Sequence, residues 1–179
     1  MKVIMDEATI KMATKRITQE ILDSGSELSD LLIVGIKTRG EFVAKRVSYY
    51  LRLLAGVSVP WCSFDISCFR DDIDTKNISP EQLTMTVTNR SIILVDDVLF
   101  TGRTVRAAID GIIANGRPKS IQLAVLVDRG HRELPFKADY IGKNIPTDYA
   151  DRIIVKLKEY DGEDVVYLRT NDEPPSHRR

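Results

Sequence analysis

Hydrophobic positions recur at two different periods in the first third of the chain. From Asp6 to Ser24 the apolar residues return at helical spacing and Gly25 follows, which predicts an amphipathic helix closed by the glycine. Leu31 to Ile36 is a short apolar run, and a second helical pattern extends from Phe42 to Leu54. This part of the chain is therefore predicted to form a helix, followed by a strand, a loop and a second helix.

The same order of elements returns further along the chain. Ile92 to Val95 predicts a buried strand, Thr101 to Asn115 a helix ended by Gly116, and Ile121 to Val127 another apolar strand. Such units in series predict an α/β fold with a mostly parallel central sheet and helices on both faces. Three alternating runs predict further strands: Val57 to Phe69, Arg152 to Leu157 and Asp164 to Leu168.

Three segments lack the period of a core element. Residues from about 66 to 90 are mostly polar and predict a flexible arm, and residues from about 128 to 150, rich in charge, glycine and proline, predict a small cap or hood. Residues 170–179 have two prolines among polar neighbours and predict a disordered tail. The length of 179 residues, with 43% hydrophobic residues, fits one domain spanning 1–179.

Composition narrows the partners. Lysine plus arginine and aspartate plus glutamate number 26 each, so no net charge draws the whole molecule onto nucleic acid and any RNA contact needs a local patch. Cys62 and Cys68 have neither metal-site nor redox spacing and are expected to be reduced thiols. No apolar stretch has the length of a signal peptide core or a membrane span, so we expect a cytoplasmic protein with no membrane partner.

The segment from Ile92 to Thr104 carries the clearest chemistry. Asp96 and Asp97 follow a buried strand, at the edge where open α/β sheets bind ligands, and ionised carboxylates accept hydrogen bonds such as those of the two ribose hydroxyls. Thr101 to Thr104 opens a helix with hydroxyls, a glycine and unpaired N–H groups, which suits a phosphate. The alternative is that the acids cap a turn and Thr101 caps a helix. The predicted ribose 5-phosphate site comprises Asp96, Asp97, Val98, Leu99, Phe100, Thr101, Gly102, Arg103 and Thr104.

This segment resembles the signature of the type I phosphoribosyltransferases, and the chain has neither of the glycine-rich phosphate loops typical of kinases and GTPases. The stretches Val34 to Gly40, Leu126 to Pro135 and Tyr140 to Thr147 extend the resemblance to the pyrimidine operon attenuation regulator family. It covers most of the chain from Asp6 to Thr147. The resemblance implies a type I phosphoribosyltransferase-like fold and a uracil phosphoribosyltransferase that also binds pyrimidine operon messenger RNA.

In such an enzyme uracil displaces pyrophosphate from 5-phosphoribosyl 1-pyrophosphate (PRPP) to give UMP. The cofactor implied is Mg²⁺, bound mainly through the substrate and with no fixed protein ligand. The resemblance also implies a non-proline cis peptide near Thr38-Arg39. A solvated turn before the helix is the alternative for Lys37 and Arg39, and a plain polar loop is the alternative for the arm. The implied roles are catalytic for Lys37, Thr38, Arg39 and Asp97, pyrophosphate binding for Lys37, Thr38, Arg39 and Gly40, and arm closure for Arg70, Asp71 and Asp72.

Base recognition is expected to fall to the cap, from Asp128 to Thr147. Purine-specific relatives carry an acid three residues beyond the carboxylate pair, where this chain has Phe100, which favours a pyrimidine. His131 has Arg129 and Arg132 as near neighbours and is interpreted as part of a basic surface rather than as a catalytic base.

The family resemblance further implies an RNA-binding face on a homodimer or a higher oligomer, with UMP as an effector. The best-known relatives have threonine, histidine and arginine where this chain has Lys15, Gln19 and Lys137, so basicity is kept but base readout could be retuned. Two alternatives remain open, a nucleotide-sensing regulator without transferase activity and a salvage enzyme without an RNA role; an ordinary solvated helix face is the alternative for the patch itself. The predicted patch is Lys15, Arg16, Gln19, Arg132, Lys137 and Lys143.

Overall fold

A computed structural model describes residues 1–74 and 82–171 of the chain. Within that part, the strands lie at β1 (Lys2–Met5), β2 (Leu31–Ile36), β3 (Trp61–Phe64), β4 (Ser91–Leu99), β5 (Ser120–Asp128), β6 (Tyr140–Asn144), β7 (Arg152–Lys156) and β8 (Val165–Arg169). The α-helices lie at α1 (Glu7–Asp23), α2 (Arg39–Ala55), α3 (Arg103–Ala114) and α4 (Lys158–Asp161).

The central sheet has five strands in the order β3-β2-β4-β5-β6, and every neighbouring pair is parallel. Alternate residues of β2 point to opposite faces, so Ile33 belongs to the core under α1 and α2 while Leu32 belongs to the core under α3. Both residues are fully buried. The predicted α/β fold, with a mostly parallel sheet and helices on both faces, is confirmed.

The helices begin and end where the sequence signals predicted. Asp6 caps α1, because its side chain accepts a hydrogen bond from the Thr9 N–H at 2.8 Å. Gly56 ends α2 in a left-handed conformation with φ of 69°. α3 begins at Arg103, two positions beyond the predicted Thr101.

The chain forms a second, smaller sheet, and the hood lies there rather than at the predicted position. Residues 140–144 within the predicted cap of 128–150 are instead β6, which joins the central sheet beside β5 and buries Tyr140. The small sheet is antiparallel, in the order β1-β8-β7, and draws on both ends of the chain. We call β1, β7 and β8 the hood sheet.

Two other predictions are adjusted by the structure. The strand predicted from Val57 to Phe69 is confined to β3, and Ser67–Phe69 forms a short 3-10 helix at the beginning of the predicted arm. Residues 75–81 of the arm and 172–179 of the predicted tail lie outside the described residues.

Arg46 of α2 ties the hood sheet to the central domain. Its guanidinium donates to Glu159 at 2.8 Å and to both carboxylate oxygens of Asp164 at 2.9 and 2.7 Å, and the side chain is only 18% exposed. Burial alone would raise the pKa of Glu159, but the hydrogen bond from Arg46 lowers it overall. The two carboxylates therefore depend on this one cation.

We expect Arg46→Met to lower the free energy of unfolding by about 2 kcal/mol, because it leaves two half-buried carboxylates without their cation. Denaturant unfolding at neutral pH measures the change. Lys45→Met is the matched control, since Lys45 is the exposed neighbour on the same helix. Equal stability of the two variants would show that the Arg46 network does not hold the hood sheet.

Candidate functional site

An acid pair lies at the carboxyl edge of the central sheet. The pairing of β2 with β4 ends at Gly35 and Val95, whereas β4 continues beside β5 as far as Leu99. Asp96 and Asp97 therefore occupy the positions at which β4 loses its neighbour on one side. A crevice at such a point is where open α/β sheets bind ligands.

The beginning of α2 packs directly against this part of β4. A Cβ atom on Gly40 would lie 2.6 Å from the Val95 carbonyl oxygen and 3.3 Å from a carboxylate oxygen of Asp96. Gly35 is equally confined, since a Cβ there would lie 2.5 Å from Glu41 Cα. Only glycine at these two positions allows helix and strand to approach so closely.

Burial governs the electrostatics of the acid pair. It raises the pKa of Asp96 well above its ordinary value, and the neighbouring charge of Asp97 raises it further. Burial also raises the pKa of Asp97, while the hydrogen bond from the Val98 N–H at 2.9 Å and the charge of Arg39 act in the opposite direction. A ligand that brings hydroxyl donors or a cation would stabilise the ionised pair.

Residues 100–104 form a braced turn at the beginning of α3. Gly102 has a φ of 91° and precedes the helix, and a Cβ there would lie 3.1 Å from the Phe136 ring. The Thr101 carbonyl accepts hydrogen bonds from the N–H groups of Glu133 at 2.9 Å and Leu134 at 3.0 Å. A fixed helix N-terminus of this kind suits a phosphate group.

The predicted pyrophosphate loop lies on the other side of the acid pair. The Lys37-Thr38 peptide is cis, one position earlier than expected, and the Lys37 N–H donates to the Phe64 carbonyl at 3.0 Å. Arg39 is the first residue of α2 and, with Asp97, lines one cavity of about 490 Å³. Of the two predicted motifs, the residues that line this cavity are Arg39, Asp97, Val98 and Phe100.

The cavity has two further walls, one beside Phe100 and one formed by the hood sheet. Phe100 lies on one side with the Arg129 guanidinium 4.0 Å from its ring centre, and Arg129 is buried and donates to Thr147 Oγ1 at 3.1 Å. The hood sheet closes another side of the cavity. Alternation predicted a strand there but nothing indicated that it reaches the site. The hood residues that line the cavity are Arg152, Ile153, Ile154, Val155 and Arg169.

The root of the predicted arm lies against the phosphate turn. Arg103 donates to Asp71 at 2.9 Å and to Glu133 at 2.6 Å. Arg70 pairs with Asp72 instead, through a hydrogen bond of 2.7 Å from its Nε. These ion pairs are largely exposed, so they place the arm beside the site without holding it strongly.

The structure joins only part of the predicted RNA patch. Arg16 of α1 donates to the carbonyls of Ile141, at 3.0 Å, and Gly142, which places it beside Lys143 of β6. Lys15 lies 5.5 Å from the Tyr50 ring centre, and Gln19 donates to Asp23 at 2.9 Å. Lys137 is exposed.

Arg132 and His131 have other surroundings than predicted. Arg132 donates to the carbonyls of Phe100 at 2.7 Å and Phe136 at 2.9 Å and pairs with Asp128, so its donors brace the phosphate turn rather than a free basic face. His131 packs edge-on against Phe100 and Tyr149 in an aromatic cluster beside the cavity. The place of Arg132 in the basic patch stays a prediction, with the contacts of its guanidinium now added to it.

Over residues 1–74 and 82–171, no group of three or more histidine, cysteine, aspartate or glutamate side chains is placed to hold a metal ion. Across the same ranges, no helix is both long and apolar enough to cross a membrane.

Comparison with known proteins shows which protein family this chain resembles. A model of the phosphoribosyl transferase domain matches residues 2–160. The bifunctional protein PyrR of Lactococcus lactis subsp. cremoris is 51% identical over 96% of this chain and 98% of its own length, and that of Streptococcus suis is 52% identical over 93% and 96%. A second Lactococcus lactis relative, also 51% identical, is named pyrimidine operon regulatory protein.

Solved structures agree with the fold. A hypoxanthine phosphoribosyltransferase from Trypanosoma cruzi, in complex with the product IMP, superposes with a TM-score of 0.71 at 21% identity and covers 94% of this chain and 90% of its own. A hypoxanthine phosphoribosyltransferase from Staphylococcus aureus gives a TM-score of 0.70 at 16% identity, over 92% and 90%. At these identities the likeness concerns the fold alone.

Proposed function

Because the chain belongs to the phosphoribosyl transferase domain family, and within it to the bifunctional PyrR and pyrimidine operon regulatory proteins, we propose that it is a uracil phosphoribosyltransferase that also regulates pyrimidine operon expression through RNA. The reaction converts uracil and PRPP into UMP and pyrophosphate. The observation that carries the proposal is the cavity shared by Asp97 and Arg39, with the phosphate turn of residues 100–104 at its edge.

Each part of the substrate has a matching group. The N-terminus of α3 would hold the 5′-phosphate, and Asp96 and Asp97 would accept hydrogen bonds from the ribose hydroxyls. Lys37, Arg39 and the backbone of their loop would bind pyrophosphate. As the bond from ribose C1′ to pyrophosphate breaks and the bond to uracil N1 forms, negative charge grows on pyrophosphate, and these cations would stabilise it. The N1 proton of uracil is released to solvent or to pyrophosphate.

The donors present fit a magnesium ion that the substrate itself largely holds. The acid pair offers hard oxygen ligands next to a cation-lined loop, and no third acidic group joins it within residues 1–74 and 82–171. Asp97, which borders the cavity, would hold the ion together with ribose and pyrophosphate oxygens. When bound, Mg²⁺ would neutralise charge on the leaving pyrophosphate.

The side chain at position 100 supports a pyrimidine rather than a purine. Phe100 borders the cavity and carries the Arg129 guanidinium on its ring, so it offers no carboxylate to a purine ring nitrogen. Apolar residues Ile153 and Ile154 line the same cavity and would pack against a flat base. Steady-state kinetics with uracil and with hypoxanthine would test this choice.

The regulatory half of the proposal rests on the relatives and on the remaining basic residues. We infer that pyrimidine operon leader RNA contacts the face on which α1 meets β6, with Lys15, Arg16 and Lys143, and that UMP in the cavity acts as effector. In a homodimer or a higher oligomer, each subunit would present one copy of this face to RNA. The proposal places the protein in the cytoplasm, where a regulator of operon messenger RNA meets its target.

Formation of UMP from uracil, PRPP and Mg²⁺ is the experiment that tests the proposed function. Turnover with uracil but not with hypoxanthine supports the enzyme. Binding of UMP without turnover would favour a nucleotide-sensing regulator without transferase activity. Turnover without salt-sensitive binding of leader RNA would favour a salvage enzyme without an RNA role.

The combined change Lys15→Gln and Lys143→Gln is expected to weaken leader RNA binding and to reduce the slope of log affinity against log salt by about 1 to 2, because two phosphate contacts are lost. Filter binding between low and moderate salt measures the slope. Lys119→Gln is the control. Lys119 is an exposed cation that lies just before β5 and pairs with Asp30. An unchanged slope would move the RNA site away from the α1 and β6 face.

A further inference from the structure

Arg39 is bound by a carboxylate from the far end of the chain. Its Nε lies 3.1 Å from one oxygen of Asp161 and its Nη2 lies 2.8 Å from the other, in the paired geometry that gives the strongest guanidinium contacts. The two residues are 122 positions apart. The last residue of α4, between β7 and β8, thus contacts the first residue of α2, which belongs to the proposed pyrophosphate loop.

Asp161 is itself held by the turn that carries it. The Leu157 N–H donates to its Oδ2 at 2.9 Å, and its own N–H donates to the Leu157 carbonyl at 2.7 Å. Gly162 ends the turn with a φ of 82°. The Asp161 side chain is 13% exposed. The carboxylate is therefore in place before any substrate arrives.

Arg39 lies between Asp161 and an aromatic ring. Its guanidinium lies 5.3 Å from the Tyr160 ring centre, and Tyr160 in turn contacts Phe42. The hydrogen bond that Arg39 donates to Asp161 is the main reason that the pKa of Arg39 is raised. Burial alone would raise the pKa of Asp161, but the hydrogen bond from Arg39 lowers it overall. The pair is ionised, half-buried and ordered.

We propose that Asp161 is a positioning residue for pyrophosphate, holding Arg39 by its Nε and Nη2 edge so that the remaining N–H groups of the guanidinium serve an anion in the cavity. The inference rests on the proposed transferase function. It also gives the hood sheet a second task, since the turn between β7 and β8 sets the geometry of a loop in the central domain.

Asp161→Asn removes the charge and one of the two acceptors while preserving the shape and the contact with the Leu157 N–H. We expect the KM for PRPP to rise about tenfold, because a charge-assisted bidentate contact is lost. The KM for uracil and the affinity for UMP, which carries no pyrophosphate, should stay within about twofold. Glu163→Gln is the matched control: it makes the same chemical change on the same connection, where Glu163 pairs with Lys156.

A double-mutant cycle separates positioning from a structural role. In an Arg39→Ala background, Asp161→Asn should have no further effect on the KM for PRPP, because its target is gone. An undiminished effect in that background, or an equal loss of UMP affinity, would overturn the inference. Asp161→Glu should restore part of the PRPP affinity, since it returns a carboxylate.

Direct binding keeps this inference apart from the proposed function. Calorimetry with PRPP and with UMP does not require turnover. If the wild type binds both ligands but forms no UMP, the transferase proposal fails, and the ratio of the two affinities in Asp161→Asn still tests the positioning role. A ratio unchanged from the wild type, or a wild type that binds neither ligand, would refute it.

Discussion

Replacing Asp97 with asparagine is expected to lower kcat/KM for UMP formation about 100-fold or more. The reason is that the neutral amide cannot replace the charge-assisted hydrogen bonds from ribose, nor the contact with a metal ion, and these would stabilise the transition state. The Val98 N–H can still donate to the amide oxygen, so the local backbone should be retained. Coupled measurement of pyrophosphate release determines the loss.

The same substitution should not lower stability. The folded state holds the pKa of Asp97 above its ordinary value, chiefly through burial, so ionising this carboxylate costs stability, and the cost grows as the pH rises from the ordinary pKa towards the raised one. Asparagine avoids this cost, so the free energy of unfolding at neutral pH should be equal to or higher than that of the wild type. Reduced activity together with reduced stability would instead mean a structural role.

Asp110→Asn is the matched control for this experiment. Asp110 lies on α3, its side chain is 46% exposed beside Arg106, and it does not border the cavity. Its substitution should leave both kcat/KM and the free energy of unfolding unchanged within about 0.5 kcal/mol. Wild-type activity in Asp97→Asn would remove Asp97 from the ribose site and leave the enzyme proposal without its central residue.

The central domain could be predicted because its signals are local. The apolar runs of β2, β4 and β5 are continuous, since strands covered on both faces need no alternation, and β2 and β4 are each followed by a clear loop and helix signal. The hood sheet could not be predicted, because β1 and β8 pair across almost the whole chain. Likewise β6 is short and charged, and only its pairing with β5 reveals it as a strand.

The candidate site also has one part that local sequence indicates and another part that depends on long-range contacts. The acid pair and the turn of residues 100–104 are contiguous in sequence, so one motif indicates both, and their ligand stays a prediction. The contacts of Arg132 with Phe100 and Asp128 could not be predicted, because only the fold reveals them. The contact of Arg39 with Asp161 joins two segments whose proximity no periodicity indicates.

Replacing Gly40 with alanine is expected to lower both activity and stability. The added Cβ would meet the Val95 carbonyl oxygen at 2.6 Å and Asp96 Cα at 3.1 Å, and these backbone atoms of a central strand cannot move aside cheaply. Alanine favours a helix by about 1 kcal/mol over glycine, but overpacking costs about 1 to 3 kcal/mol, so we expect a net loss of stability. The beginning of α2 must shift, and Arg39 shifts with it relative to Asp97.

Activity should fall further than stability, because a displacement of about 1 Å in a catalytic arrangement can cost about 100-fold in rate. Gly116→Ala is the matched control, since a Cβ there would overlap Thr88 Oγ1 in the connection from α3 to β5, at the amino edge of the central sheet and away from the acid pair. It should lower the free energy of unfolding to a similar degree but retain most of kcat/KM. If both variants lost activity in proportion to stability, close packing of α2 on β4 would be a requirement of folding alone; a larger loss in Gly40→Ala means that this contact sets the distance between the pyrophosphate loop and the ribose site.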